Sequence, residues 1–249
     1  MAIVKFKPSH TTAILVDGGF YRSIAHRMFG DVSPKQRADE LEEYCKKHIH
    51  DKHENRSLYR IFYYDCAPSG KQVYHPLLKK PIDLKKTDLY CWMSEFLLEL
   101  KSKRKFALRL GELSEERLEY NLKYDTLKKL HAGTRDFSSL TESDYTLNIE
   151  QKGVDMKIGV DIASLAYKKQ VDQIILISGD SDFVPAAKLA RREGIDFILD
   201  PMRQHIKDNL FEHIDGIQTY ARIRPKKPAI ATVVLQTENQ ESSTPILVP

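Results

Sequence analysis

Apolar residues fall along this chain in two rhythms. Short unbroken runs read as strands buried on both faces, and runs with apolar positions every three or four residues read as helices that cover them. The clearest unit is 171–201, VDQIILISGDSDFVPAAKLARREGIDFILDP. Val171 and Ile174, Ile175, Leu176 and Ile177 predict a strand, which Gly179, Asp180 and Asp182 break. An amphipathic helix follows from about Phe183 to Glu193, Gly194 stops it, and IDFIL predicts the next strand. Such a β-α-β unit builds parallel sheets with right-handed crossovers. Ligands of open parallel sheets sit at the carboxyl ends of the strands, where Asp180 and Asp182 fall.

The rest of the chain repeats this grammar. Thr11 to Val16 predicts a strand that ends at Asp17, with Gly18 and Gly19 as the turn and a helix carrying Phe20, Ile24, Ala25 and Met28 up to Gly30. Asp31 to His53 is polar with a helical middle, and Leu58 to Tyr64 predicts a strand ending at Asp65. Pro68 to Pro81 reads as a basic loop. Thr87 caps a helix whose face is Leu89, Trp92, Phe96, Leu97 and Leu100, and FALRLGEL is a further strand. From Ser114 to Gly133 the signals are helical, with Ser114 as cap, Glu115 and Glu116 in the first turn and Lys128, Lys129 and His131 in the last. With the polar loop Thr134 to Asp144, this forms an expected helical insertion at about 114–150 that could cover a site. Lys152 to Lys169 predicts a helix burying Val154, Ile158, Ile162, Leu165 and Ala166. At about 100° per residue, Asp155 and Asp161 flank that face roughly 120° apart. HIKDNLFEHID reads as a closing helix. The expected organisation is an extension over 1–10, one α/β domain over 11–221, and a disordered tail over 222–249, which is rich in Pro, Ser, Thr and Gln.

Composition narrows the picture only slightly. The 249 residues are 41% hydrophobic and 30% charged, enough for a sizeable core, and the formal charge of +4 permits a polyanion partner without requiring one. Cys45, Cys66 and Cys91 have no metal-like spacing, and their odd number argues against a disulfide framework. No apolar run reaches the ~18 residues of a membrane span, and the first residues lack the apolar core of a secretory signal. A cytoplasmic protein with no membrane partner is therefore expected.

Candidate chemistry centres on Asp17, Asp155, Asp180 and Asp182. If the strand ending at Asp17 neighbours the strand ending at Ile177, their carboxylates converge, and crowded carboxylates call for a divalent cation. Oxygen ligands without Cys or His suit Mg²⁺ or Mn²⁺. Plainer roles stand beside this reading. Asp182 can cap the following helix with Pro185 in its first turn, Asp17 can be a turn residue, Asp155 a dipole-favoured acid and Asp161 an ion-pair partner. Arg22, one turn beyond Asp17, can hold a phosphate or simply lie on the surface. Lys79, Lys80, Lys85, Lys86 and the 101–105 run can track a phosphate backbone, with Tyr74, Tyr90 or Trp92 for stacking, or can be solvated ends of elements. There is no phosphate-binding loop, dinucleotide fingerprint or nucleophile elbow.

VDGGFYRS, KGVDMKIGVD and ISGDSDFVP, in that order, resemble the NYN domain family of PIN-like nucleases, in particular its bacterial DUF88-type branch. The resemblance spans about 11–220 and implies a PIN-like three-layer α/β/α fold with a central, mostly parallel sheet. It implies hydrolysis of RNA by a metal-activated water, with Mg²⁺ or Mn²⁺ held by Asp17, Asp155, Asp180 and Asp182 and, more weakly, Asp161. Arg22, Ser178, Ser181 and Lys152 are the positions expected near substrate. Many relatives carry Asn shortly after the first Asp, where this chain has Gly18, Gly19, Phe20 and Tyr21. The expected activity is endoribonuclease. An RNA-binding or regulatory module with a weak or inactive site is the alternative, and a phosphohydrolase of small substrates is a third reading. DNA as a substrate and a homodimer are left open.

Overall fold

The computed structural model describes residues 9–50 and 54–221. The expected tail and most of the expected extension lie outside the described residues. Seven strands form the central sheet in the order β6-β5-β2-β1-β7-β8-β9. They are β1 (His10–Asp17), β2 (Arg56–Cys66), β5 (Phe106–Leu122), β6 (Tyr145–Lys152), β7 (Gln173–Ile177), β8 (Asp196–Asp200) and β9 (Gly216–Ile217). Every neighbouring pair is parallel except β5 and β6. The helices are α1 (Gly18–Phe29), α2 (Pro34–Ile49), α3 (Asp88–Ser102), α4 (Tyr124–His131), α5 (Val154–Tyr167), α6 (Val184–Arg192) and α7 (Asp208–Phe211).

Alternation along the strands explains the three layers. In β1, Ala13 and Leu15 face a core shared with α5 and α6, while Ile14 and Val16 face a core shared with α1, α2 and α3. β7 does the same, with Ile174 and Leu176 on the first side and Ile175 and Ile177 on the second. Two-sided burial is why these strands read as continuous apolar runs. The fold is thus the expected α/β/α arrangement with a mostly parallel sheet. The predicted buried face of α5 is observed residue for residue: Val154, Ile158, Ile162, Leu165 and Ala166. Thr87 caps α3 by accepting from the Tyr90 N–H.

Three expectations fail. Residues 114–122 are not helical. They continue β5, pairing antiparallel with β6 through Ser114↔Glu150 and, after a register break, Glu119↔Asn148 to Leu122↔Tyr145. Pairing with a strand thirty residues on overrides local helix propensity, and only Tyr124–His131 remains as α4. The insertion is therefore a β arm tipped by a short helix. Second, the basic loop holds a hairpin, β3 (Gln72–His75) against β4 (Lys80–Asp83), anchored by buried His75 packing against Tyr120 and Tyr145 of the arm. Third, the closing helix shrinks to the four residues of α7.

Candidate active site

Asp17 is at once the last residue of β1 and the N-cap of α1. Its Oδ1 accepts the Phe20 N–H at 3.0 Å and its Oδ2 accepts the Ser178 hydroxyl at 3.1 Å. Ser178 follows β7, the strand beside β1, and is fully buried. Its Oγ accepts the Asp180 N–H at 3.3 Å. Ser178 therefore ties Asp17 to the β7 loop. Asp180, not Asp182, is the cap here: its carboxylate accepts the Asp182 N–H at 2.9 Å at the start of a single 3-10 turn, Ser181–Phe183, that leads into α6. Asp180 and Asp182 are both exposed, Ser181 is half-buried, and Lys152 is exposed at the end of β6.

Asp155 stands in the first turn of α5, just after Gly153, whose φ of 78° lies in the left-handed region. Glycine reaches that conformation without strain, so β6 can turn directly into α5. Val154 is buried and anchors the start of the helix.

The electrostatics link these acids. Burial raises the pKa of Asp17; the Phe20 N–H and the Ser178 hydroxyl oppose this, and the charges of Asp155 and Asp65 add to it. Partial burial likewise raises Asp155, and the charges of Asp180 and Asp182 push it further. Asp17, Asp155, Asp180 and Asp182 thus form one field of mutual repulsion at the carboxyl edge of the sheet. Asp161 is set apart from it. Its carboxylate accepts the Tyr64 hydroxyl at 2.9 Å and Arg109 Nε at 3.0 Å, the ion-pair role foreseen for it.

Sequence reasoning missed Asp65. This fully buried carboxylate at the end of β2 accepts Arg22 Nε at 2.9 Å and Nη2 at 3.0 Å, the Tyr63 hydroxyl at 2.8 Å, the Cys66 N–H at 2.8 Å and Gln151 Nε2 at 3.3 Å. Arg22 is therefore gripped along one edge, and about a quarter of its side chain stays exposed. Burial pulls the Arg22 pKa down, but Tyr63 and Asp65 push it up further, so it stays charged. Gly18 is required by this hub: a Cβ there would come within 2.6 Å of Asp65 Oδ2 and of the Tyr63 hydroxyl. One signal was available, since Asp65 is a third acid at the end of a predicted strand. Its link to Arg22 depends on β2 lying beside β1, which spacing alone does not reveal.

The donor set is all oxygen and suits a hard divalent cation, and Asp17 and Asp155 carry repulsion that such an ion relieves. Among the described residues no three His, Cys, Asp or Glu side chains converge as a ready-made metal cage. An ion here would be held by one or two carboxylates with water completing its shell, which is how Mg²⁺ is commonly bound. Two cavities flank Arg22. One, of about 140 Å³, lies toward Asp65, Ser69 and Gln151; the other, of about 530 Å³, opens between α1 and α3.

The model of the NYN domain matches residues 85–214, just over half of the chain. The chain belongs to the NYN domain family. The family is PIN-like and nuclease-like, and PIN-like nucleases typically use divalent metals. The matched NYN segment contains Lys152, Asp155, Asp161, Ser178, Asp180, Ser181 and Asp182, whereas Asp17, Arg22 and Asp65 precede it. A crystal structure of a protein of unknown function from Vibrio parahaemolyticus is similar over 86% of this chain and 94% of its own, with 14% identity and a TM-score of 0.43. No curated protein matches. Among the described residues no helix is long and apolar enough to cross a membrane.

Proposed function

We propose that this NYN protein is a metal-dependent endoribonuclease whose site is the edge formed by Asp17, Asp155, Asp180 and Asp182. The observation that carries the reading is the crowding of acids at this edge, where burial and the charges of Asp155 and Asp65 raise Asp17, and partial burial and the charges of Asp180 and Asp182 raise Asp155. Asp17, at the carboxyl end of a parallel strand, and Asp155, in the first turn of α5, are kept at an electrostatic cost that a bound cation would relieve. Mg²⁺ or Mn²⁺ bound there supplies an activated water and stabilisation of the leaving oxygen. The chain's own part is to hold Asp17 in place through Phe20 and Ser178, to present Asp155 from the first turn of α5, and to set Asp180 at the rim through its cap. Arg22, fixed by Asp65, offers its free edge to a phosphate beside them.

The test is incubation of a panel of single-stranded and structured RNAs with Mn²⁺. Cleavage is expected, and Asp180→Asn should lower it about 100-fold or more, at or beyond the top of the range for groups supporting a metal, with the circular dichroism spectrum unchanged. Activity that persists in EDTA would sink the metal reading. The second reading, an RNA-binding or regulatory module, draws on the lack of a preformed three-carboxylate cage among the described residues. Binding of RNA without cleavage in either metal would favour it.

A further inference from the structure

The α1–α3 groove has features that the fold does not need. Its volume of about 530 Å³ lies within the range of small-molecule sites. It opens at the carboxylates, because Gly19 lines it and a Cβ on Gly19 would stand 3.6 Å from Asp17 Oδ1. Its wall is Trp92, held rigidly by a hydrogen bond from the indole N–H to the Val32 carbonyl at 3.0 Å and by stacking on Phe96 at 5.1 Å. With the indole's polar atom satisfied inside the protein, only apolar ring surface is left for the groove. Beside it Leu89, which the sequence pattern assigned to the core, is 66% exposed and lines the groove instead. The basic side chains of the lining are unequal. Arg22, His26 and Arg37 each answer to a carboxylate, of Asp65, Asp31 and Glu40 respectively. Arg27 has the neutral amide of Gln204 as its partner, at 3.3 Å.

We propose that this groove is a base-recognition subsite, which takes one unstacked nucleobase of the strand whose phosphate lies at Asp17. The proposal rests on the nuclease reading for its orientation. The base packs against Leu89 and the edge of Trp92, and the phosphate on its far side meets Arg27. An apolar ledge beside a guanidinium bonded to a neutral amide, continuous with a phosphate-handling edge, matches the two halves of a nucleotide. A base inside a duplex cannot enter, so the groove favours unpaired strands.

Trp92 is the only tryptophan in the chain, so its emission reports on the groove directly. The probe is a six-nucleotide single-stranded RNA, offered with Ca²⁺ to neutralise the carboxylates, beside the same backbone made abasic and the same sequence as a duplex. The intact single strand is expected to change Trp92 emission and to bind at least about tenfold tighter than the abasic strand, as loss of one base contact implies. Leu89→Asp should remove most of that advantage, while Leu89→Met keeps it and Arg27→Ala weakens the intact and abasic strands alike; Leu89 is exposed, so the fold is not at stake. Equal binding of the abasic strand, or binding with Trp92 silent, overturns the proposal. If RNA is cut in Mn²⁺ while Trp92 stays silent and Leu89→Asp cuts normally, the groove reading fails and the nuclease reading stands. If Trp92 responds to bases and no RNA is ever cut, the reverse holds.

Discussion

Asp17 shows how one side chain can serve strand, helix and chemistry together. Its folded pKa lies above its ordinary value because of burial and neighbouring acids. A carboxyl raised in the folded state stabilises fully below its unfolded pKa, and that contribution is lost as pH rises through the folded value. At neutral pH without metal, ionised Asp17 is thus a burden, and Asp17→Asn, which can still cap α1, should raise the melting temperature by on the order of 2 °C. The gain should shrink in acid, where the native Asp17 is protonated, and Mg²⁺ should stabilise the native protein more than the variant. Thermal scans across pH, with and without the ion, check both statements; a variant less stable at pH 7 would contradict the charge argument. Arg22→Ala should act in the opposite direction. It strands Asp65 as a buried carboxylate, which costs about 3 kcal/mol in urea unfolding, near the low end for a broken buried pair because the Tyr63 and Cys66 donors remain. Arg22→Lys would not restore the two-pronged grip. The acids at strand ends were legible as residues, but their division of labour was not. Asp182 looked like the cap of the following helix because Pro185 follows it, yet Asp180 caps a 3-10 turn and α6 itself starts after Phe183 without a side-chain cap.

At the scale of elements, legibility followed burial. β7 is buried along its whole length and α5 buries one regular face, Val154, Ile158, Ile162, Leu165 and Ala166, so their periodicity survives in the sequence. No described residue of the arm of β5 and β6 is fully buried, and its SEERLEY stretch carries good helix formers with little apolar patterning, so only the partner strand decides its conformation. The arm matters because β6 delivers Gln151 to Asp65 and then turns through Gly153 into Asp155. Gly153→Ala should therefore destabilise by roughly 1–2 kcal/mol, the penalty of a left-handed residue bearing a Cβ. It should also lower cleavage by more than that loss of stability explains, since the first turn of α5 must shift. Comparing activity at a temperature where both proteins are fully folded separates the two effects; unchanged activity would mean that Asp155 is not held by this turn.

Over the whole molecule, the alternation of strand and helix signals was enough to expect a parallel sheet built from β-α-β units, and the family resemblance supplied the three-layer α/β/α arrangement. The order β6-β5-β2-β1-β7-β8-β9 was beyond reach, because it depends on which buried strand lies beside which. That order has a kinetic meaning. β1 sits between β2 and β7, and its register with β7 joins Thr12 to Gln173 and Val16 to Ile177. β1 must therefore wait for a partner some 160 residues later in the chain before both of its edges are covered. Such long-range closure makes for slow folding and leaves an unpaired apolar edge exposed meanwhile. Chains released after β6 should accordingly aggregate or recruit chaperones. Because the acids of β1 and of the β7 loop meet only when β7 fills that gap, the candidate site and the covering of β1 should form in a single step.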